Sequence, residues 1–316
     1  MDFESIVLVF PGQGSQKTGM GRDFYDESNI GSATFQEASE ALGFDVAALC
    51  FEEDDRLNLT EYAQPCILAT EIAMFRVIDD LYGLQPKRFG GHSLGEYTAL
   101  VAAGVMSFPE ALRVVRERGR LMQQATPVGM GGMAALIADN LDRDELSTLL
   151  EDLPVDIANL NSARQVVISG EKKGLAEAET RLTELLSARG PFRYVPLTVS
   201  APFHSRFMKA IREPFRTVLR DIESIIQPAN APGVTSNFTG GFHENSREAI
   251  IDRLVAQLSG TVRWIDNMHA LSEGGLSVVE VGPGRPLRDF FKSIGVSCTS
   301  VTSFTAARRT FENGAK

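Results

Sequence analysis

Gly91-His92-Ser93-Leu94-Gly95, followed by Glu96, is a G-x-S-x-G pentapeptide with a small-residue helical stretch behind it at 97–103. Such a pentapeptide can set a serine hydroxyl on a sharp turn from strand to helix, exposed for attack on a carbonyl. The glycines leave room for neighbouring backbone, and the helix start offers N–H groups and a positive dipole end. An oxyanion formed on the attacked carbonyl would be held there, with the Leu94 N–H as one donor. A bare pentapeptide is satisfied more simply by a glycine-rich turn capped by serine. Residues 85–90 before it also make a poor strand by composition. The choice between the two rests on which other residues can serve this serine.

Attack by a serine needs a base for its proton. The chain holds four histidines. His92 adjoins Ser93, and neighbouring side chains at such a turn diverge. His243 sits in the polar stretch 240–245 and is expected on the surface, and His269 falls in a helical stretch, 265–271, with nothing to single it out. His204 stands after a buried strand expected at 194–200 and before an amphipathic helix, and it follows the serine in chain order as hydrolase histidines do. It is the candidate base, with a structural histidine at a strand end as the competing reading.

Helical periodicity over 109–124 puts Ala111, Val114, Val115, Leu121 and Met122 at three, four or seven positions from Arg118. Arg118 therefore falls on the apolar face, while Arg113, Arg116 and Arg120 lie toward solvent. A core-facing arginine keeps its charge and needs an anion or several acceptors. Bidentate capture of a substrate carboxylate and a salt bridge to an internal carboxylate both satisfy this, and periodicity leaves the two open.

These residues need a scaffold. Residues 5–10 read as a fully buried strand ending at Pro11-Gly12-Gln13-Gly14-Ser15-Gln16. The third glycine of a dinucleotide fingerprint is missing there, and Met20 stands where a phosphate-binding loop needs lysine. A loop at the end of a buried strand is nonetheless a usual place for a site, and Gln13 can bring its side-chain amide or its N–H to a ligand or simply form a tight turn. Helices are expected at 33–42 and at 65–81, the latter with Pro65 near its first position. After a glycine break at 129–132 the pattern over 133–200 is β-α-β-β-α-β, that of a ferredoxin-like unit. Asn159 and Asn161 lie near its strand ends, as turn residues or as cleft lining. Beyond it come helices at 214–226, 247–258 and 287–294, strands at 233–237 and 276–281, an edge strand at 296–301, and a polar tail, 306–316, expected to be disordered. The fold expected is α/β: a large sheet domain built from 1–129 and 201–305 with 130–200 inserted as a small subdomain.

Composition narrows the function. The 316 residues are 43% hydrophobic and 23% charged, those of a globular chain with a sizeable core, and the net charge of −10 argues against a nucleic-acid scaffold. It leaves room for an anionic small substrate, which needs only local positive charge. Cys50, Cys66 and Cys298 form no metal-binding or redox pattern and are expected as reduced, buried thiols. The apolar run 6–10 is too short for a signal or membrane segment, so a cytoplasmic, non-membrane protein is expected, acting as a monomer.

Taken together, Pro11–Gln16, Gly91–Glu96, Arg118-Gly119, Phe203-His204 and Gln257-Leu258 give the chain a resemblance to the malonyl-CoA:acyl carrier protein transacylases, acyltransferases of fatty acid and polyketide synthesis. It covers roughly residues 5–295, with five separated motifs in order. The resemblance implies an α/β-hydrolase-like domain carrying an inserted ferredoxin-like small subdomain. It implies Ser93 as the nucleophile that takes malonyl from coenzyme A and passes it to the phosphopantetheine thiol of an acyl carrier protein. His204 then matches the base, oriented by a backbone carbonyl at Gln257 rather than by a carboxylate. Gln13 and the Leu94 N–H match the oxyanion hole, and Arg118 the ligand of the malonyl carboxylate. Gln64 and His92 match positions lining the acyl pocket, and Asn161 a segment near the cleft. Phe203 resembles the malonyl-selective branch, in which a bulky side chain crowds an α-methyl group. No metal or bound cofactor is implied beyond the coenzyme A thioester substrate.

Three other readings compete. A carrier-protein acyl hydrolase would use the same serine and histidine but has no need of a buried cation. A carrier-docking module with a decayed site conflicts with the complete residue set. An ordinary esterase lacks its acid partner here. Arg206, Lys209 and Arg212 beside His204 are candidates for contact with an acidic carrier protein, or are plain solvated charges.

Overall fold

In a computed structural model, residues 6–127 and 129–312 are described. Ser5, at the start of the first expected strand, and residues 313–316 of the expected tail lie outside them. Strand β1, Ile6–Phe10, is fully buried. Helices α1 (Arg22–Glu27), α2 (Asn29–Leu42), α3 (Val46–Phe51) and α4 (Thr60–Tyr82) follow, then β2 (Arg88–Gly91), α5 (Gly95–Ala102) and α6 (Phe108–Gln124). Strands β3 (Gly131–Ile137), β4 (Val155–Ser162), β5 (Gln165–Glu171) and β6 (Arg193–Leu197) alternate with α7 (Arg143–Leu150) and α8 (Lys172–Ser187). The chain closes with α9 (Arg212–Asp221), α10 (Arg247–Gln257), α11 (Trp264–Ser272), β7 (Ser277–Val281), α12 (Pro286–Ser293), β8 (Cys298–Val301) and α13 (Phe304–Glu312).

The first sheet has the order β2-β1-β7-β8 and is parallel throughout. Apolar side chains cover both of its faces, as a parallel sheet with crossover helices requires. Ile6, Leu8 and Phe10 pack among residues of α2, α4 and α5, whereas Val7 and Val9 pack against Trp264, Met268 and Phe291. Register pairs Val9 with Gly90 and Phe10 with Gly91. The Pro11–Gln16 loop and the Ser93 turn therefore leave adjacent strands at the same carboxyl edge, where α/β sheets place their sites.

The second sheet is antiparallel with order β4-β5-β3-β6, the ferredoxin-like arrangement of a β-α-β-β-α-β chain. Alternation along β3 divides its faces: Ala134 and Leu136 pack under α7 and α8, while Met133 and Ala135 join the core of the large sheet. A return segment fastens the two sheets together. Val262 bridges Asn159 of β4, with Leu160 N–H donating to Val262 O at 2.9 Å and Val262 N–H to Ala158 O at 2.8 Å.

Several expectations need correction. α4 starts at Thr60, so Pro65 lies inside it and Gln64 is carried on its buried face. Residues 88–91 do form a strand, despite a composition that disfavours one. β6, expected as buried, is an edge strand with half or more of its residues exposed. Residues 233–237 form no strand; Val234 makes one isolated bridge to Phe89. His243, expected on the surface, is buried at 3% exposure. The tail is also misread up to residue 312, because α13 buries Ala307 and Phe311, and Phe311 stacks on Tyr82 at 5.2 Å. Cys50, Cys66 and Cys298 are buried and free. No described helix is long and apolar enough to cross a membrane.

Candidate active site

Ser93 adopts φ +53°, left-handed backbone that is costly for a non-glycine residue. The turn is possible because its glycines admit other backbone. A Cβ on Gly91 would meet Gly95 C and O at 2.0 Å, and one on Gly95 would meet Phe10 O at 2.2 Å. The turn thus presses directly on the end of β1, and the Ser93 hydroxyl projects over the sheet edge. Leu94, fully buried, is the N-cap residue of α5, so its N–H belongs to the helix start.

His204 meets the serine from 111 positions away: Ser93 Oγ lies 2.7 Å from His204 Nε2. His204 Nδ1 lies 2.8 Å from the Gln257 carbonyl oxygen, which can only accept. That bond fixes the tautomer, with the proton on Nδ1 and Nε2 free to accept the serine proton. His204 also has a positive φ, +55°, in the loop after β6. Burial, and then the nearby Arg118 charge, push its pKa down to about 3.

Arg118 is 1% exposed and reaches the same serine. Its Nη2 donates to Ser93 Oγ at 3.1 Å and to Gln257 Oε1 at 2.8 Å, and its Nη1 donates to Gln64 Oε1 at 2.8 Å. Its Nε has no partner, and the Tyr97 ring lies 5.3 Å below the guanidinium. Among the described residues no carboxylate forms an ion pair with it; it is held by amide oxygens and one hydroxyl. The internal salt bridge left open by periodicity is therefore not what this arginine makes. Arg113, Arg116 and Arg120 pair with Glu110, Glu61 and Glu117 on the outer side of α6.

The remaining expected residues line one cavity of about 760 Å³ between the two sheets, with Ser93, His204 and Arg118 at its floor. The Gln13 side chain is occupied, donating to Thr60 Oγ1 at 3.2 Å and accepting from Gln64 Nε2 at 3.4 Å. Its backbone N–H is thus the group it has left for a ligand. His92 points away from the serine and bonds Asn161 across the cleft, Nε2 to Oδ1 at 2.7 Å; Asn161 Nδ2 in turn donates to Gln165 at 2.8 Å. Burial lowers the His92 pKa, against the bond to Asn161, which favours the charged ring. Phe203, 6% exposed, and Asn159 also line the cavity. Arg206 is tied to Asp156, its Nη2 2.7 Å from Oδ1, which leaves Lys209 and Arg212 of the basic trio without an ion pair among the described residues.

Asn237, Glu96 and His243 are site residues that the sequence reading missed. Asn237 Oδ1 accepts the Ser93 N–H at 2.5 Å, and its Nδ2 donates to Gly91 O at 2.7 Å. Glu96 and His243 are both buried and bonded at 2.9 Å. One signal was available: a glutamate directly after the pentapeptide, at the start of an otherwise apolar helix.

The acyl transferase domain family matches residues 7–283, and the chain belongs to this family. The malonyl CoA-acyl carrier protein transacylase of Bacillus subtilis (strain 168) is 38% identical over 296 residues, 92% of this chain and 90% of that protein. The protein of the same name from Staphylococcus aureus (strain MSSA476) is 35% identical over 320 residues, 97% of this chain and 98% of that one. Among solved structures, the malonyl CoA-acyl carrier protein transacylase from Clostridium perfringens superposes with a TM-score of 0.89 at 31% identity, covering 98% of this chain and 97% of its own. A malonyl-transacylase in complex with a type II PKS acyl-carrier protein gives a TM-score of 0.88 at 36% identity, with 98% and 99% covered.

Proposed function

We propose that this protein transfers malonyl from malonyl-CoA to the phosphopantetheine thiol of an acyl carrier protein, through a malonyl ester on Ser93. The observation that carries the reading is Arg118, a buried cation without a carboxylate partner that stands 3.1 Å from the nucleophilic oxygen. Burial disfavours its charge, and an incoming carboxylate would restore the lost solvation with two charge-assisted bonds. An acyl group ending in a carboxylate fits this floor, and a simple acyl group leaves the cation unanswered.

The steps follow from the geometry. Ser93 Oγ attacks the thioester carbonyl as its proton passes to His204 Nε2, and the imidazolium is steadied by the Gln257 carbonyl at Nδ1. The oxyanion is met by the N–H groups of Leu94 and Gln13. The Ser93 N–H is already held by Asn237 and takes no part. Collapse expels coenzyme A thiolate, which takes the proton from His204. The carrier thiol then gives its proton to His204, attacks the ester carbonyl, and the serine oxygen leaves with that proton. The scheme calls on no metal or bound cofactor, and on coenzyme A only as substrate. It suits a cytoplasmic enzyme. The Phe203 ring beside His204 is assigned to exclusion of α-branched acyl groups.

The test is transfer in solution. Holo acyl carrier protein with malonyl-CoA should gain the malonyl mass increment within minutes with enzyme and negligibly without it. Release of free malonate in its place would assign the protein to carrier-protein acyl hydrolysis.

A further inference from the structure

Behind the serine lies a carboxylate that the scheme above does not use. Glu96 stands on the first turn of α5, fully buried, and three N–H donors converge on it. Its Oε2 accepts from the Asn237 backbone N–H at 2.9 Å and from Gln257 Nε2 at 2.7 Å, and its Oε1 bonds His243 Nε2 at 2.9 Å. Each of the two groups on Oε2 leads to a reacting atom.

The first is Asn237. Its amide bonds the turn at two points leading into the nucleophile, accepting from Ser93 N–H and donating to Gly91 O. Ser93 sits in left-handed backbone, which persists only where its surroundings over-determine it. The second is Gln257. Its Nε2 also donates to Ser93 O at 3.0 Å, its Oε1 receives Arg118, and its backbone carbonyl orients His204. Base, cation and nucleophile thus depend on two residues from distant parts of the chain, and one carboxylate oxygen holds both.

We propose that Glu96 is a positioning residue for acyl transfer, whose Oε2 keeps the serine turn and the base in register by fixing Asn237 and Gln257 together. This rests on Ser93 as nucleophile and His204 as base.

The hydrogen-bond inventory gives an asymmetry to test. In Glu96→Gln the amide oxygen can take the place of Oε2 and keep both positioning bonds. Its NH₂ then faces His243, whose Nδ1 has no partner. His243 can therefore move its proton to Nδ1 and accept at Nε2. Glu96→Ala has no such repair.

Stopped reactions with malonyl-CoA and with a fluorophosphonate, a serine-directed reagent that needs no malonyl recognition, give rate constants per reactive serine as well as the reactive fraction. For Glu96→Ala both rate constants are expected to fall about 10²-fold, the cost of a misplacement on the order of 1 Å, with KM for malonyl-CoA little changed. Glu96→Gln is expected within about fivefold of the parent, since its geometry is kept. A purely structural role would lower the reactive fraction and the melting temperature of Glu96→Ala while each remaining serine reacts at the parental rate; that result overturns the proposal. So does a Glu96→Gln protein as slow as Glu96→Ala. If Glu96→Ala does not fold, Asn237→Ala cuts the same link nearer the serine, and a parental rate there counts equally against it. Failure of the functional reading looks different: the parent protein would then react with fluorophosphonate at Ser93 but not with malonyl-CoA, or with neither.

Discussion

Arg118 Nη2 and His204 Nε2 bond the same atom, Ser93 Oγ, at 3.1 and 2.7 Å. The hydroxyl therefore donates to the histidine while it accepts from the guanidinium. In the free enzyme the cation favours charge on the serine oxygen and disfavours a proton on the histidine. In the proposed reaction the substrate carboxylate would give the cation a second task, in an orientation that Gln64 and Gln257 already fix. Three predictions concern this triangle and the cavity around it, and a fourth the helices that carry it.

Arg118→Ala should cost about 3–4 kcal/mol in kcat/KM for malonyl-CoA, about 10²–10³-fold, the range for removing one partner of a buried charged pair. Acetyl-CoA has no carboxylate for the cation and draws only on its bond to the serine, so its kcat/KM should fall far less. Equal losses for the two substrates would assign Arg118 to the architecture and not to the carboxylate.

The histidine sets the pH dependence. In the proposed reaction its neutral form is the base, and burial followed by the Arg118 charge holds its pKa down to about 3, below the usual 6.5. Between pH 5 and 8 (roughly the span an unperturbed histidine would titrate) kcat/KM should be flat on the acid side. Removing the cation in Arg118→Ala takes away a lowering influence, so its acid limb should move upward. The same shift bears on stability. The unfolded chain binds this proton more readily, so the contribution of neutral His204 is complete above pH 6.5 and is lost as pH falls toward about 3. An acid limb near 6.5 in the parent enzyme would contradict the buried geometry.

Phe203→Ala should raise the ratio of methylmalonyl-CoA to malonyl-CoA use by about tenfold or more, since a methyl-sized clash is worth about 1–3 kcal/mol. Competition between the two thioesters, read by intact mass, measures it. An unchanged ratio would place selectivity elsewhere on the cavity wall.

Gly119 is where α6 crosses α4. A Cβ there would lie 2.4 Å from Thr60 O and 2.9 Å from Glu61 Cα, backbone atoms that no rotamer change can move. Gly119→Ala should lose about 3 kcal/mol of stability by overpacking, and activity with it, because Gln64 and Arg118 ride on the two helices it pushes apart. Denaturant unfolding and kcat/KM measured together check this; a fully active, destabilised variant would show the helices can part without disturbing the site.

Much of this site could be read from the chain because its signals are local. The stripe along 109–124 puts Arg118 inward, and the apolar run at 6–9, rich in β-branched residues, makes a buried strand whose end is a site edge. The ferredoxin-like unit is legible because short apolar strands and amphipathic helices follow one another in the order β-α-β-β-α-β. The failures share a cause, contacts from far along the chain. β2 is half glycine, yet those glycines are required by the close approach of Gly95, Leu271 and Thr235. His243 has polar neighbours and reads as exposed, but its N–H donates to Val234 O and its ring to Glu96, 147 positions earlier. Asn237 reads as the end of a short strand, yet its side chain holds a turn 144 positions away. α13 is polar by composition, yet it turns two apolar residues inward.

The most direct measurement is the intact mass of the protein after brief exposure to malonyl-CoA, beside Ser93→Ala. The expected result is one malonyl adduct on the parent, absent from the variant and discharged when holo acyl carrier protein is added. An adduct that survives in Ser93→Ala, or one that forms from acetyl-CoA and not from malonyl-CoA, would contradict the account.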